Sequence, residues 1–226
     1  MIRVPILSMQ LGLLLLAIAC AGSTTAPALN SERIAARYGS YEVSLLQQEA
    51  EWRISSLESR AGGAATTRTL AVVRFALPLP AELRPAHERI VAGASIGATF
   101  RDAGWDIEKR HLYGGTYVLD ADRHAVLRLM RLTPPAVLAV HAYRFEVVGD
   151  AERHAYATIV ELHHPDYLAL ADLRDLYALP AAAGESCAPP SVRAALQRIG
   201  GLSESDYTEP QYQQEPCRGP PCTRLR

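Results

Sequence analysis

The chain has a single lysine, Lys109, and arginine supplies every other basic residue. Phenylalanine and tryptophan are also scarce, at three and two residues, so tyrosine, at ten, is the main aromatic. Reliance on arginine can serve bidentate anion recognition, but coding bias explains it more simply. Charge of either sign in excess is absent as well: 23 Lys+Arg face 24 Asp+Glu, a formal net charge of −1. That balance argues against nucleic-acid binding, which draws on a strongly basic face. There is no P-loop and no Gly-x-Gly-x-x-Gly, so neither a phosphate cradle nor an organic cofactor is expected. No internal repeat marks a solenoid. No cysteine falls between Cys20 and Cys187, so a domain in that interval must build its core without a disulfide.

What is present begins with an address. Arg3 forms a small basic start, Leu11 to Ile18 an apolar stretch, and Ala17-Ile18-Ala19-Cys20 a small-residue close. Pro5, Ser8 and Gln10 interrupt the run, which falls short of the roughly 20 apolar residues of a spanning helix. This order is that of a secretory leader over residues 1–19. Ala19 followed by Cys20 resembles the lipobox of bacterial lipoproteins. The resemblance covers the leader and the first residues after it. It implies diacylation of the Cys20 sulfur and, with Ala21 rather than Asp next, placement at the outer membrane facing the periplasm. Ala17-Ile18-Ala19 also reads as an ordinary small-x-small cleavage site, which would give a soluble secreted or periplasmic protein. Residues 20–30 form a tether, in which the small-residue, Thr- and Pro-containing stretch Ala21–Leu29 could span about 30 Å at roughly 3.3 Å per residue.

Residues 31–179 read as one α+β domain: a largely antiparallel sheet packed with two or three helices. A short helix from Asn30 ends at Gly39. Strands are expected at Tyr41–Leu45, Trp52–Leu57 and Thr67–Ala76; in the last, Thr69, Ala71, Val73 and Phe75 share a face. One helix is expected from about Ala86 to Ala103, stopped by Gly104. Alternation resumes at Trp105–Arg110, and Gly114-Gly115 is expected to turn the chain. Ala125–Leu132 fits helix or strand. Leu138–Val148 and His154–His163 flank Gly149-Asp150-Ala151-Glu152-Arg153, a hairpin signal. Asp166–Tyr177 follows as an amphipathic helix with Pro165 at its start. Residues 180–226 are read as a linker, a short helix with Val192, Ala195, Leu196 and Ile199 on one face, and a polar, disordered tail. Cys187, Cys217 and Cys222 lie there and are candidates for disulfide pairing in an oxidising compartment.

Two patterns bear on chemistry. Gly93-Ala94-Ser95-Ile96-Gly97 matches the nucleophile elbow of serine hydrolases, with Asp120 or Asp150 and His163 or His164 nominated on chain order. Its upstream His87-Glu88-Arg89-Ile90-Val91 is too charged for the buried strand that leads into such an elbow. A helix with small residues at Gly93 and Gly97 is the preferred reading. The other pattern is Glu161-Leu162-His163-His164-Pro165-Asp166, four potential ligands in six residues. Glu161 and His163 share a strand face, and a divalent site could combine Glu161, His163 or His164, and Asp166 with one distant ligand, His141 or His154 converging through the hairpin. A polar strand end entering a helix explains the same residues without metal, and is preferred.

The expected role is non-catalytic: a lipid-anchored envelope protein, held to the membrane by acylated Cys20, that binds a partner protein or another envelope component. An envelope hydrolase using Ser95 or a metal at Glu161/His163/His164/Asp166 is the alternative. The anchor is tested directly. Cys20→Ser should move the protein from the membrane to the soluble fraction or leave it unprocessed. A mature N-terminus whose intact mass lacks lipid at Cys20 would refute the lipoprotein expectation.

Overall fold

Alternating side chains from six strands build the centre of the molecule. The computed structural model describes residues 28–60, 63–150, 152–179 and 188–202. The leader, most of the tether, residues 203–226 and all four cysteines lie outside the described residues. The strands are β1 (Glu42–Gln48), β2 (Trp52–Ser59), β3 (Thr66–Phe75), β4 (Asp106–Leu119), β5 (Ala136–Val148) and β6 (Arg153–His163). They form one sheet in the order β1-β2-β3-β6-β5-β4, every pair antiparallel. The α+β expectation therefore holds. Six α-helices are present among the described residues: α1 (Asn30–Tyr38), α2 (Arg84–Val91), α3 (Ile96–Asp102), α4 (His124–Leu129), α5 (Leu170–Tyr177) and α6 (Pro190–Gly200). None of them is long and apolar enough to cross a membrane.

The helices cover both sides of the sheet, which is why the central strands are apolar on both faces. One face carries Ile54, Leu70, Val72, Leu138, Val140, Val160 and Leu162 against Val126 and Leu127 of α4 and Val192, Ala195 and Ile199 of α6. The opposite face meets the other four helices. Val73, Phe75, Tyr143, Phe145 and Ile159 pack with Ile90 of α2 and Phe100 of α3. Beside them, Ala139 packs with Ile34 of α1 and Leu173 of α5. Val192, Ala195 and Ile199 form the helix stripe that the sequence shows, and all three are buried against the sheet. The packed body thus extends to Leu202 and includes the short helix expected beyond the domain of residues 31–179.

Three local expectations are corrected. The helix expected over Ala86–Ala103 is two helices, α2 and α3, separated by a turn in which Gly93 takes φ 113°, open to glycine and costly for other residues. The buried Arg53 guanidinium crosses from β2 and donates to the carbonyls of Ile90, Gly93 and Ala94. It satisfies the end of α2 that a continuing helix would otherwise have satisfied. Gly114-Gly115 does not turn the chain: β4 runs straight through, with Gly114 opposite His141 and Gly115 opposite Val140. Glycine is needed there for close approach. A Cβ at Gly114 would lie 2.8 Å from Leu179 Cδ1, and one at Gly115 would strike the Tyr113 ring. Finally, α5 starts at Leu170, not Asp166. The Tyr167 and Leu168 N–H groups both donate to the His164 carbonyl, making a turn first, and the Asp172 carboxylate accepts the Ala169 N–H at 2.8 Å to start the helix.

Because Ile199 is 1% exposed within the core, Ile199→Ala should lower the unfolding free energy by about 2–5 kcal/mol, read from urea titration. A loss below about 0.5 kcal/mol, the range of surface substitutions, would show that α6 does not pack on the sheet.

Candidate metal centre

Strand register brings three ligand-type side chains to one point. Glu161 and His163 alternate onto the same face of β6, and His141 lies directly opposite Glu161 on β5. All three are buried, at 4%, 1% and 0% exposure. Their ligand-type atoms lie within 4.8 Å of one another. Glu161 Oε2 is 3.9 Å from His141 Nδ1 and 3.7 Å from His163 Nε2. These separations are too long for hydrogen bonds, and all three atoms lack a hydrogen-bond partner. A tetrahedral zinc ion with bonds of about 2.0–2.1 Å sets neighbouring ligand atoms about 3.4 Å apart. The two Glu161 separations would contract by about 0.3–0.5 Å to meet that geometry.

The far side of each group is anchored. His163 Nδ1 is 2.9 Å from Thr69 Oγ1, and His141 Nε2 is 2.8 Å from His111 Nδ1. Asn30 Nδ2 donates to Glu161 Oε1 at 3.3 Å and to Thr69 Oγ1 at 3.1 Å. The Tyr167 hydroxyl donates to Asn30 Oδ1. A proton on His163 Nδ1 donated to Thr69, and one on His141 Nε2 donated to His111, leave lone pairs on the two nitrogens that face Glu161. Partners behind the ligands orient imidazoles in this way in metal sites. The Tyr177 ring of α5 stacks on His141 at 4.4 Å between centroids, and Arg33 of α1 donates to the Tyr177 hydroxyl. Leu179, seated over Gly114, brings this end of α5 down onto β4 and β5.

Burial governs protonation. It pushes His141 down to about 3, against the opposing pull of Glu161, and it pushes His163 down to about 3 with Lys109 and Arg33 acting in the same direction. Both imidazoles are therefore neutral near pH 7, the form that ligates metal. Burial also holds the Lys109 ammonium below its usual value, with Glu161 opposing. The ammonium lies 4.4 Å from the centre of the Tyr143 ring. Tyr143 itself is held well above the usual phenol range, by burial first and then by the charge of Glu161.

The structure separates the four ligands nominated along Glu161–Asp166. Glu161 and His163 enter the cluster, whereas His164, one residue on, points to the opposite side of the sheet. There His164 Nε2 donates to the Met130 carbonyl at 3.0 Å and its Nδ1 accepts the Asp166 N–H. The Asp166 carboxylate is 80% exposed and 3.9 Å from His164 Nδ1. His141, one of the two distant candidates, completes the set. His154 instead lies with Glu82 and Glu152 at a more exposed site, 3.1 and 3.0 Å from their carboxylates. Thr69, Asn30 and His111 carried no sequence signal, because each acts through a neighbour that only folding supplies.

Ser95 is not at a strand-to-helix elbow. It is the residue before α3, reached from α2 through the Gly93 turn. Among the described residues no side-chain hydrogen bond engages it, and the histidines nominated as its base are bound to Thr69 and Met130. Ser95 does line a cavity of about 70 Å³ between the sheet and helices α1 and α3, whose wall includes Glu161 and Lys109. Gly97 meets Leu29, 2.7 Å from where its Cβ would be, not the sheet.

No family model matches the chain, and no curated protein does. Among solved structures, the C-terminal domain of PhnF aligns over 63% of this chain and 79% of that one at 16% identity and a TM-score of 0.38. That similarity is too slight to bear on fold or function.

A neutral buried imidazole makes stability pH-dependent. Between 6.5, the usual value, and about 3 the unfolded chain binds protons that folded His141 and His163 refuse. Stability should therefore fall as pH drops through that window, by up to about 1.4 kcal/mol per pH unit for each group. Urea titrations of the metal-free protein between pH 7 and 4.5 should show a shallower dependence in His141→Gln/His163→Gln. Equal slopes would mean that the two imidazoles titrate normally in the folded protein.

Proposed function

We propose that this protein is a lipid-anchored envelope protein whose domain binds a divalent transition-metal ion through His141, Glu161 and His163. Two imidazoles and one carboxylate suit zinc by donor type. The single observation behind this reading is the pairing pattern: the three atoms that face one another have no partner, while the opposite atom of each group is tied to Thr69, His111 or Asn30. Buried polar atoms in a folded protein are ordinarily paired. A metal ion at the centre satisfies all three and neutralises the buried carboxylate. The leader and Cys20 support placement at the outer membrane, facing the periplasm.

Three protein ligands leave a further coordination position for water or a ligand, the arrangement of sites that exchange small molecules. Glu161 also belongs to the wall of the neighbouring cavity. That shared carboxylate favours metal-assisted hydrolysis as a second reading, in which a zinc-bound water titrates near 7. Zinc-dependent turnover of p-nitrophenyl acetate, absent from the ligand variants, would select it.

Zinc at 10² to 10³ times its dissociation constant should stabilise the protein by about 3–4 kcal/mol. The gain should vanish in His141→Ala/His163→Ala and persist in His164→Ala, which leaves the three ligands in place. Calorimetric titration together with thermal unfolding reads both. A wild-type protein that neither binds zinc nor gains stability from it would overturn the metal reading. Equal loss in the His164 variant would shift the site to the other face of the sheet.

A further inference from the structure

We propose that the cavity beside Glu161 binds a small carboxylate with an apolar body, the carboxylate held by Lys109 next to the metal ion. The inference rests on the metal reading for what stands beside the carboxylate, and on the cavity for everything else. The cavity encloses about 70 Å³. At about 10–15 Å³ of such volume per water, it has room for roughly five waters, or an organic molecule of about five to eight heavy atoms. Its walls include Leu57, Val73, Tyr143, Phe145 and Ile159, so most of an occupant would meet hydrocarbon and aromatic surface. Such walls with a few placed polar groups are the usual form of a small-molecule site.

Charge decides the sign of the occupant. Arg53 and Lys109 both line the cavity, and Glu161 is the acid on the same wall. Neither cation makes an ion pair with a carboxylate among the described residues. Arg53 is 1% exposed, and its Nε has no partner. Its two terminal nitrogens are committed to the carbonyls of Ile90, Gly93 and Ala94. A metal ion on Glu161 takes up that carboxylate and leaves the buried Arg53 and the half-buried Lys109 beside a divalent ion. Uncompensated buried charge is strongly unfavourable, and an anion entering the cavity relieves it.

The number of free donors decides which anion. A phosphate dianion calls for several converging N–H groups, and here the two terminal nitrogens of the guanidinium are spent on backbone carbonyls, leaving only Nε. What stays open is one ammonium, held over the Tyr143 ring, the Arg53 Nε, the hydroxyls of Ser55 and Ser95 on the wall, and the open position of a three-ligand ion. The single mobile cation and the metal position match the two oxygens of a carboxylate monoanion, and the apolar walls match a short hydrocarbon body, whereas a dianion would carry twice the charge out of water.

Butyrate, of suitable size, is the probe, with butyramide as its neutral counterpart and inorganic phosphate as the competing anion. Each is titrated calorimetrically, into the millimolar range, against the full chain with and without zinc. Butyrate should bind the zinc-loaded protein at least about tenfold more tightly than butyramide, and more tightly than phosphate. Lys109→Met should weaken butyrate on the order of 10–100-fold while leaving zinc affinity in place, and Lys109→Arg should recover most of the loss. Zinc-loaded protein that ignores butyrate, binds butyramide equally, prefers phosphate or is indifferent to Lys109→Met would overturn the carboxylate site and leave the metal centre standing. Butyrate binding that depends on Lys109 in a protein that takes up no zinc would support the cavity and overturn the metal centre alone.

Discussion

The pairing of β5 with β6 is the constraint on which the rest of the site depends. From the hairpin end the register runs Val148 with Arg153, Val147 with His154 and Glu146 with Ala155; it then steps by one, so that Phe145 meets Ala157. Tyr156 is the extra residue of this bulge. It is fully buried, packing edge-on against Phe75 and Phe100, and its hydroxyl lies 2.9 Å from His87 Nδ1. Without the step, Glu161 would oppose Val140 instead of His141, and His163 would oppose Leu138. A one-residue slip carries every side chain to the other face of a strand. The acid and histidine would then face the hydrocarbon of α4 and α6. The bulge keeps the two faces separate: aliphatic on one side, and on the other an apolar cluster beside the polar groups of Glu161, His141 and His163.

The polar side is held by Asn30. At the first position of α1 it joins Thr69 of β3, Glu161 of β6 and Tyr167 of the turn before α5. One buried amide therefore fixes where three elements meet, and its loss would strand several buried partners at once. The neighbouring helix end is organised by the same logic, with the Arg53 guanidinium serving the carbonyls at the close of α2. Both groups carry polar satisfaction into the layer between the sheet and the helices. The open atoms of His141, Glu161 and His163 are conspicuous against that background.

Glycine acts here through what it omits. Gly114 lies opposite His141 on the neighbouring strand, where a Cβ would lie 2.8 Å from Leu179 Cδ1 and push that side chain aside. The absence of that Cβ lets the end of α5 settle so that Tyr177 stacks on the imidazole. The ring lid excludes water from His141, and that exclusion keeps the imidazole neutral. The same residue in sequence looks like a turn former, because glycine's freedom and glycine's smallness leave an identical mark in one dimension.

Much of the architecture follows from local pattern. The period-2 alternation of Thr69, Ala71, Val73 and Phe75 marks β3, and two apolar runs about Gly149-Asp150 mark the β5–β6 hairpin, because one-sided burial dictates spacing. Helix starts and breaks were less legible: small residues at 92–95 suit a helix interior as well as a turn, and Arg53, which stabilises the turn, lies about forty positions away in the chain. Of the site, Glu161 and His163 were legible, since alternation alone places residues two apart on one face. It likewise sends His164 to the other side, and that separation follows from strand geometry. The sequence alone thus determined the antiparallel α+β class, the hairpin and two of the three clustered side chains. Tertiary structure alone chose His141 as the third member of the cluster and Thr69, His111 and Asn30 as the groups behind. The reason is physical: the register step at Tyr156 is set by an aromatic packing against Phe75 and Phe100 from distant elements, which no local periodicity encodes.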